Sequence, residues 1–332
     1  MALASRRTMR AAGSRGRGVR LISANPAAAV LVVLIVASAL ASPRFLSGAN
    51  LLTMAVQSAI PLVFALGETF IILTGCIDLS MPGIAAVSAV VMALLVQNGT
   101  NGNKYGYLGL AIALATATAL GFANGILNTA FRIPSFMATL GVSTAAVGLA
   151  TLMYQGIPVV VSDSGVLALS AGHVIGIPAS IIIAVIVFVA LLIVERNTLF
   201  GRHVYAVGGG EHIARMSGVR VARIKVLTFT LAGFLFGLAG IMLASQLGSA
   251  TSTLGGASLF PAITAVVLGG TALTGGVGGC TRTVIGVLVL TVVGNIMILL
   301  GINPFTQIIV QGVLLVSAVL FTTDRSRLAI IK

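Results

Sequence analysis

The sequence predicts an all-α, polytopic membrane protein with about ten transmembrane helices and a possible inverted repeat. Three observations lead there. Of the 332 residues, 58% are hydrophobic and 8% charged, where a soluble domain carries about 25% charge. The apolar residues gather into ten stretches near the roughly 20 residues that span a bilayer. The basic residues collect in alternate connections, as they do in cytoplasmic loops. Mean hydropathy is +1.14. This composition excludes a soluble enzyme and a disordered chain. Two cysteines are too few for a disulfide framework or a thiolate metal site.

In order, the stretches are 26–43, 51–75, 83–97, 107–131, 135–155, 176–194, 226–247, 259–280, 284–300 and 305–322. The third and ninth are short. The second and eighth contain Gly, Pro or polar residues and are expected to be broken or partly re-entrant, which is tolerated only where protein or a water-filled cavity covers the backbone. The first stretch comes after an Arg-rich segment and imitates a cleavable signal. The chain beyond Ala41 is itself apolar, so an uncleaved helix is expected. Residues 51–155 and 226–322 each hold four spans and start on opposite faces, as an inverted repeat would.

A cytoplasmic N-terminus puts 17 of the 19 Lys and Arg inside and leaves Arg44 and Lys104 outside. The net charge of +13 is therefore an orientation signal, and no nucleic-acid partner is expected. The organisation expected is a basic cytoplasmic tail over 1–25, one transmembrane domain over 26–323 with an inner loop at 195–225, and a cytoplasmic tail over 324–332.

Four runs stand out. In LTGCIDLSMPG, Leu73–Gly83, the side chains of Asp78 and Ser80 are placed to cap a helix starting near Pro82, as a turn or a pivot between two pore helices. In NGILNTAFRIPSFMATLG, Asn124–Gly141, Asn124 and Asn128 share one helix face and need partners, either a neighbouring helix or a polar solute. In FGRHVYAVGGGEHIARMSGVRVARIK, Phe200–Lys225, Gly208, Gly209 and Gly210 read as a flexible entry to a short helix framed by Glu211 and Gly218. Ile213 and Met216 give that helix an apolar face with Arg215 beside it, suited to a groove on a partner. In AVVLGGTALTGGVGG, Ala265–Gly279, no Lys comes after the glycines, so no P-loop is present. His203 and His212 have no further ligand types at usable spacing and read as solvated. Glu68 is a lone carboxylate within a span and so a candidate site. Asp78 lies ten residues on, about 15 Å along a continuous helix, too far for a carboxylate pair.

Taken in this order, the runs resemble the permease subunits of bacterial ABC sugar importers of the ribose, xylose, arabinose and galactose class. That family carries GIDLSVG, NGxL with a following Pro-Phe and TLG, GRxxYAxGGNxxAAxxSGI, and IAAVVLGG with a GG run. Here Cys76, Met81-Pro82, Gly210 and Ser258–Pro261 depart from the pattern. The resemblance implies that this chain is not itself an enzyme and needs no cofactor. It implies alternating access, a second permease subunit, cytoplasmic ATP-binding subunits and a periplasmic or extracellular sugar-binding protein. It places Gly201, Arg202, Gly208, Gly209, Glu211, Ile213, Arg215, Met216 and Gly218 at the contact with the ATPase subunit. Neutral sugars need amide and hydroxyl partners, which makes Gln57, Glu68, Thr69, Asn124, Asn128 and Asn295 the pathway candidates. Glu68 is expected to face the interior, hydrogen-bonded to hydroxyls or amides. The alternative is an ion-coupled secondary transporter of a small polar solute, for which Glu68 is the carboxylate available within a span.

Overall fold

The computed structural model describes residues 26–322, and the expected tails over 1–25 and 324–332 lie outside the described residues. The protein is an all-α, polytopic membrane protein. Its helices are α1 (Pro26–Ala41), α2 (Gly48–Leu73), α3 (Met81–Leu95), α4 (Tyr107–Thr129), α5 (Ser135–Tyr154), α6 (Ser164–Ala171), α7 (Ala179–Asn197), α8 (Leu199–Gly209), α9 (Glu211–Met216), α10 (Val221–Leu247), α11 (Leu259–Leu268), α12 (Cys280–Leu299) and α13 (Pro304–Thr322). Of these, α2, α4, α5, α7, α10 and α12 are long and apolar enough to cross a membrane, and α1, α3, α11 and α13 are shorter apolar helices.

Two expectations about broken spans come out differently. The second span is one continuous helix of 26 residues that runs through Pro61. A proline removes a single backbone donor, and packed neighbours make that tolerable in a membrane helix. The eighth span does break. Its helix, α11, has ten residues, about 15 Å of length against about 30 Å of hydrocarbon. The chain from Gly269 to Gly279 is a loop in which Gly270, Gly275, Gly276, Gly278 and Gly279 have positive φ, a conformation that only glycine adopts without strain.

The centre is α2, α3 and α10. Every residue of α2 from Val63 to Leu73 is buried, and so is every residue of α3 from Gly83 to Ala93. Helices apolar on all sides belong inside. α10 lies close against α4 because side chains are missing at the crossing, where a Cβ on Gly121 would come within 2.8 Å of the Gly233 Cα. At the periphery, Val33 and Leu40 on α1 and Phe305 and Ile308 on α13 are exposed, as lipid-facing residues should be. The two halves repeat a pattern: a long helix (26 residues in α2, 27 in α10), a short one (15 in α3, ten in α11), then two more spans.

One end of the bundle is closed by α6 and two small β pairs. β1 (Val159–Val160) pairs antiparallel with β4 (Ser249–Ala250), and β2 (His173–Val174) with β3 (Ile177–Pro178). Asp163 caps α6 by accepting from the backbone of Gly165 and Val166, and Ser170 Oγ donates to Met242 O at 2.7 Å, tying α6 to α10. The other end carries α8, α9, the Gly269–Gly279 loop and most of the described basic residues.

Candidate functional site

The α8–α9 segment is built from local signals. Thr198 Oγ1 accepts from Gly201 N at 3.1 Å and starts α8. α9 runs from Glu211 to Met216, and Gly218, at φ +81°, ends it with Val219 N donating to Ala214 O at 3.0 Å, a glycine stop that relieves the last free carbonyls. Ala214 faces inward, while Ile213 and Met216 are 69% and 78% exposed. Arg202, Gly209, Glu211, Arg215 and Gly218 are exposed too, and Glu211 pairs with Lys225.

Gly201 and Gly208, expected at a partner contact, instead pack inward. A Cβ on Gly201 would strike the carbonyls of Val194 and Glu195. Nor is Gly208 part of a flexible entry. It lies within α8, against Leu73 O and Gly276 N. Gly276 N also donates to Leu73 O at 3.0 Å, and a Cβ on Gly275 would lie 2.7 Å from Gly75 N and 3.0 Å from Gly208 Cα. Three backbone segments thus touch directly: the end of α2, the end of α8 and the glycine loop.

The pathway candidates separate into two groups. Gln57 and Asn295 border a cavity of about 170 Å³ shared with Pro61, Pro261, Thr291 and Gln311. Asn295 is further paired with Asn50 by reciprocal amide bonds of 3.0 and 2.9 Å. Three of the others make hydrogen bonds within the protein. Thr69 Oγ1 is 2.6 Å from Thr283 Oγ1, joining α2 to α12. Asn128 Nδ2 donates to Ile133 O at 3.0 Å, closing its own helix end. Asn124 is fully buried and donates to Ser80 Oγ at 2.8 Å.

The expected cap by Asp78 and Ser80 is not made. Ser80 occupies the cap position of α3 without a side-chain bond to the helix. Asp78 Oδ1 accepts from Ser80 N at 2.6 Å and from Ser80 Oγ, an Asx turn rather than a cap. Glu68 corrects a further expectation, because it is 0% exposed and neither oxygen has a hydrogen-bond partner among the described residues. The continuous helix assumed between Glu68 and Asp78 is absent, because α2 ends at Leu73 and Gly75 turns the chain at φ +74°.

The family model described as branched-chain amino acid transport system / permease component matches residues 50–319. The chain belongs to this permease family. It is 38% identical over 298 residues to the ribose import permease protein of Bacillus subtilis (strain 168), covering 89% of this chain and 91% of that one. It is 33% identical over 307 residues to the galactose/methyl galactoside import permease protein of Salmonella typhimurium, covering 87% and 91%. It is 32% identical over 292 residues to the L-arabinose transport system permease protein of Escherichia coli K12, covering 88% of each. No solved structure matches the chain.

Sequence reasoning missed one contact centre of this permease. Glu195, at the end of α7, accepts from Tyr205 OH at 2.7 Å through Oε1 and from Cys280 N at 2.8 Å through Oε2. Tyr205 OH also lies 2.9 Å from Gly278 O. Burial, and then the adjacent Glu195, push the Tyr205 phenol well above its usual range, so it remains a donor. The permease thereby ties α7, α8, the glycine loop and the start of α12 into one unit beneath α9. Beside it lies an open basic cavity of about 1050 Å³, bordered by Arg132, Arg215, Arg220 and Arg223.

Proposed function

We propose that this permease forms the membrane pathway of an ABC importer that carries a pentose, hexose or related polyol into the cytoplasm by alternating access. The observation that carries the reading is the junction at Gly208. The exposed face of α9, with Ile213, Arg215 and Met216, belongs to a segment whose backbone rests on the end of α2. A partner pulling on α9 therefore moves a central helix rather than a loose loop. Separate ATP-binding subunits would dock there, and a second permease subunit would complete the pathway. A periplasmic or extracellular sugar-binding protein would deliver solute to the face that carries α6. The basic end then lies in the cytoplasm of a bacterium, with both tails, 1–25 and 324–332, on that side of the inner membrane. The small, mainly apolar cavity at Gln57 and Asn295 offers a few uncharged amide partners, which is what hydroxyl groups need. Import permeases among the relatives support this reading over ion-coupled secondary transport.

Sugar uptake in cells carrying Arg215→Glu tests it. Uptake should fall at least tenfold, and the ATPase subunit should no longer co-purify, while the permease stays in the membrane. ATP-independent uptake in wild type, or normal uptake and co-purification in the variant, would overturn it.

A further inference from the structure

The open cavity of about 1050 Å³ beside α9 is bordered by five cations, Arg132, Arg215, Arg220, Arg223 and Lys225, and by one carboxylate, Glu211. Glu211 is already paired with Lys225. The four arginines are exposed and have no carboxylate partner among the described residues. Five cations less one carboxylate leave the cavity a net charge of +4. Like charges held around one space repel, so the cavity favours an anion. Arginine suits phosphate in particular, because its planar fork donates two parallel hydrogen bonds to the phosphate oxygens.

The position of the cavity decides which phosphate. Its walls are the end of α4, the connection from Arg132 to Pro134 that leads into α5, and the first turn of α10. All three helices are long and apolar enough to cross a membrane, so their shared end lies at the level of the lipid head groups. Next to the cavity along the chain, Phe131, Phe136, Met137 and Leu227 are exposed, an apolar surface on which acyl chains can rest. A soluble anion has no use for that surface, whereas a phospholipid carries both parts. Basic pockets between membrane helices are general sites for anionic head groups. Two further features agree. No side chain caps α10, which leaves N–H groups of its first turn for an acceptor. Asn128 Oδ1, buried and without a partner among the described residues, belongs to the same wall and lacks a donor such as a head-group hydroxyl.

We propose that this cavity seats the phosphate of an anionic phospholipid, held by Arg132, Arg220 and Arg223, with the acyl chains lying against α4 and α5. The lipid bridges the ends of α4 and α10 beside α9, and its binding requires neither the ATPase subunit nor the solute.

The test uses the purified full-length permease, delipidated in a neutral detergent, with bound lipid read by native mass spectrometry. Phosphatidylglycerol should be retained at least tenfold more than phosphatidylcholine, whose phosphate is offset by its own cation, and inorganic phosphate at the same concentration should not displace it. Retention should fall at least fivefold in the double variant Arg132→Gln/Arg223→Gln. It should stay within twofold of wild type in Arg202→Gln, which removes an exposed charge outside the cavity. Displacement by inorganic phosphate would make this a soluble-anion site and overturn the lipid. Equal retention of the two lipids by wild type would overturn it with no need for a variant that folds. Unchanged retention in the double variant would overturn it too, and loss of the co-purifying ATPase subunit alongside would assign the arginines to that partner.

Discussion

Gly208, in α8, lies against the carbonyl of Leu73, the last residue of α2, so closely that no side-chain carbon fits between them. Neither backbone can move there without the other. Gly208→Ala should therefore displace α8 from α2 and lower sugar uptake at least tenfold, while Gly209→Ala, which meets open space, should leave uptake near wild type. Uptake by the two variants at equal membrane content checks this, and equal activity of both would remove the junction from the coupling path.

Glu195 satisfies two buried donors on different elements. Glu195→Ala leaves Cys280 N without that partner, at a cost of about 1–3 kcal/mol, while Tyr205 OH keeps Gly278 O. Tyr205→Phe should cost less, about 0.5–1.5 kcal/mol. Thermal melting of the purified chain should rank them wild type, Tyr205→Phe, Glu195→Ala; the reverse order would place the stabilising contact elsewhere.

Gln57 is exposed on α2 and borders the small cavity. Replacing it with Leu should change stability by no more than about 0.5 kcal/mol, as for most exposed positions, and still reduce sugar uptake. Asn295→Leu should do both kinds of harm, because it also breaks the amide pair with Asn50. Uptake kinetics set beside melting temperature separates the two, and an unaffected Gln57→Leu would take the solute path out of this cavity.

At the α4–α10 crossing, Gly233→Leu forces a side chain into Ala117 O and Gly121 Cα, each 2.7 Å from where a Cβ would sit. Overpacking of this kind typically costs about 1–3 kcal/mol, and here the excess volume is large. The variant should melt below wild type, and unchanged melting would show that the helices can part at this crossing.

How much of this was readable in the sequence depends on how far apart the partners lie. α9 was legible because Glu211 and Gly218 mark its ends within one turn. The stretches that became α2, α4, α5, α7, α10 and α12 were legible because each answers to bilayer thickness alone. Glycine runs were ambiguous: Gly208 and Gly209 continue a helix, while Gly275 and Gly276 turn at positive φ, and only the packed neighbours decide between these outcomes. Glu195 drew no notice because its partners are 10 and 85 residues away. The chain between Glu68 and Asp78 turns at Gly75, where a helical projection runs straight on.

The ten residues of α11 have a consequence for how this protein is made. A helix of about 15 Å is too short to partition into lipid on its own merit, and the backbone beside it would be bare there. It cannot be handed to the bilayer as its longer neighbours are when they leave the ribosome. It has to wait for a slot walled by α2, α12 and α13, two of which are synthesised after it. Substitutions that slow the insertion of α12 or α13 should therefore expose α11 to quality-control proteases even though it is unaltered, and degradation would strike far from the changed residue.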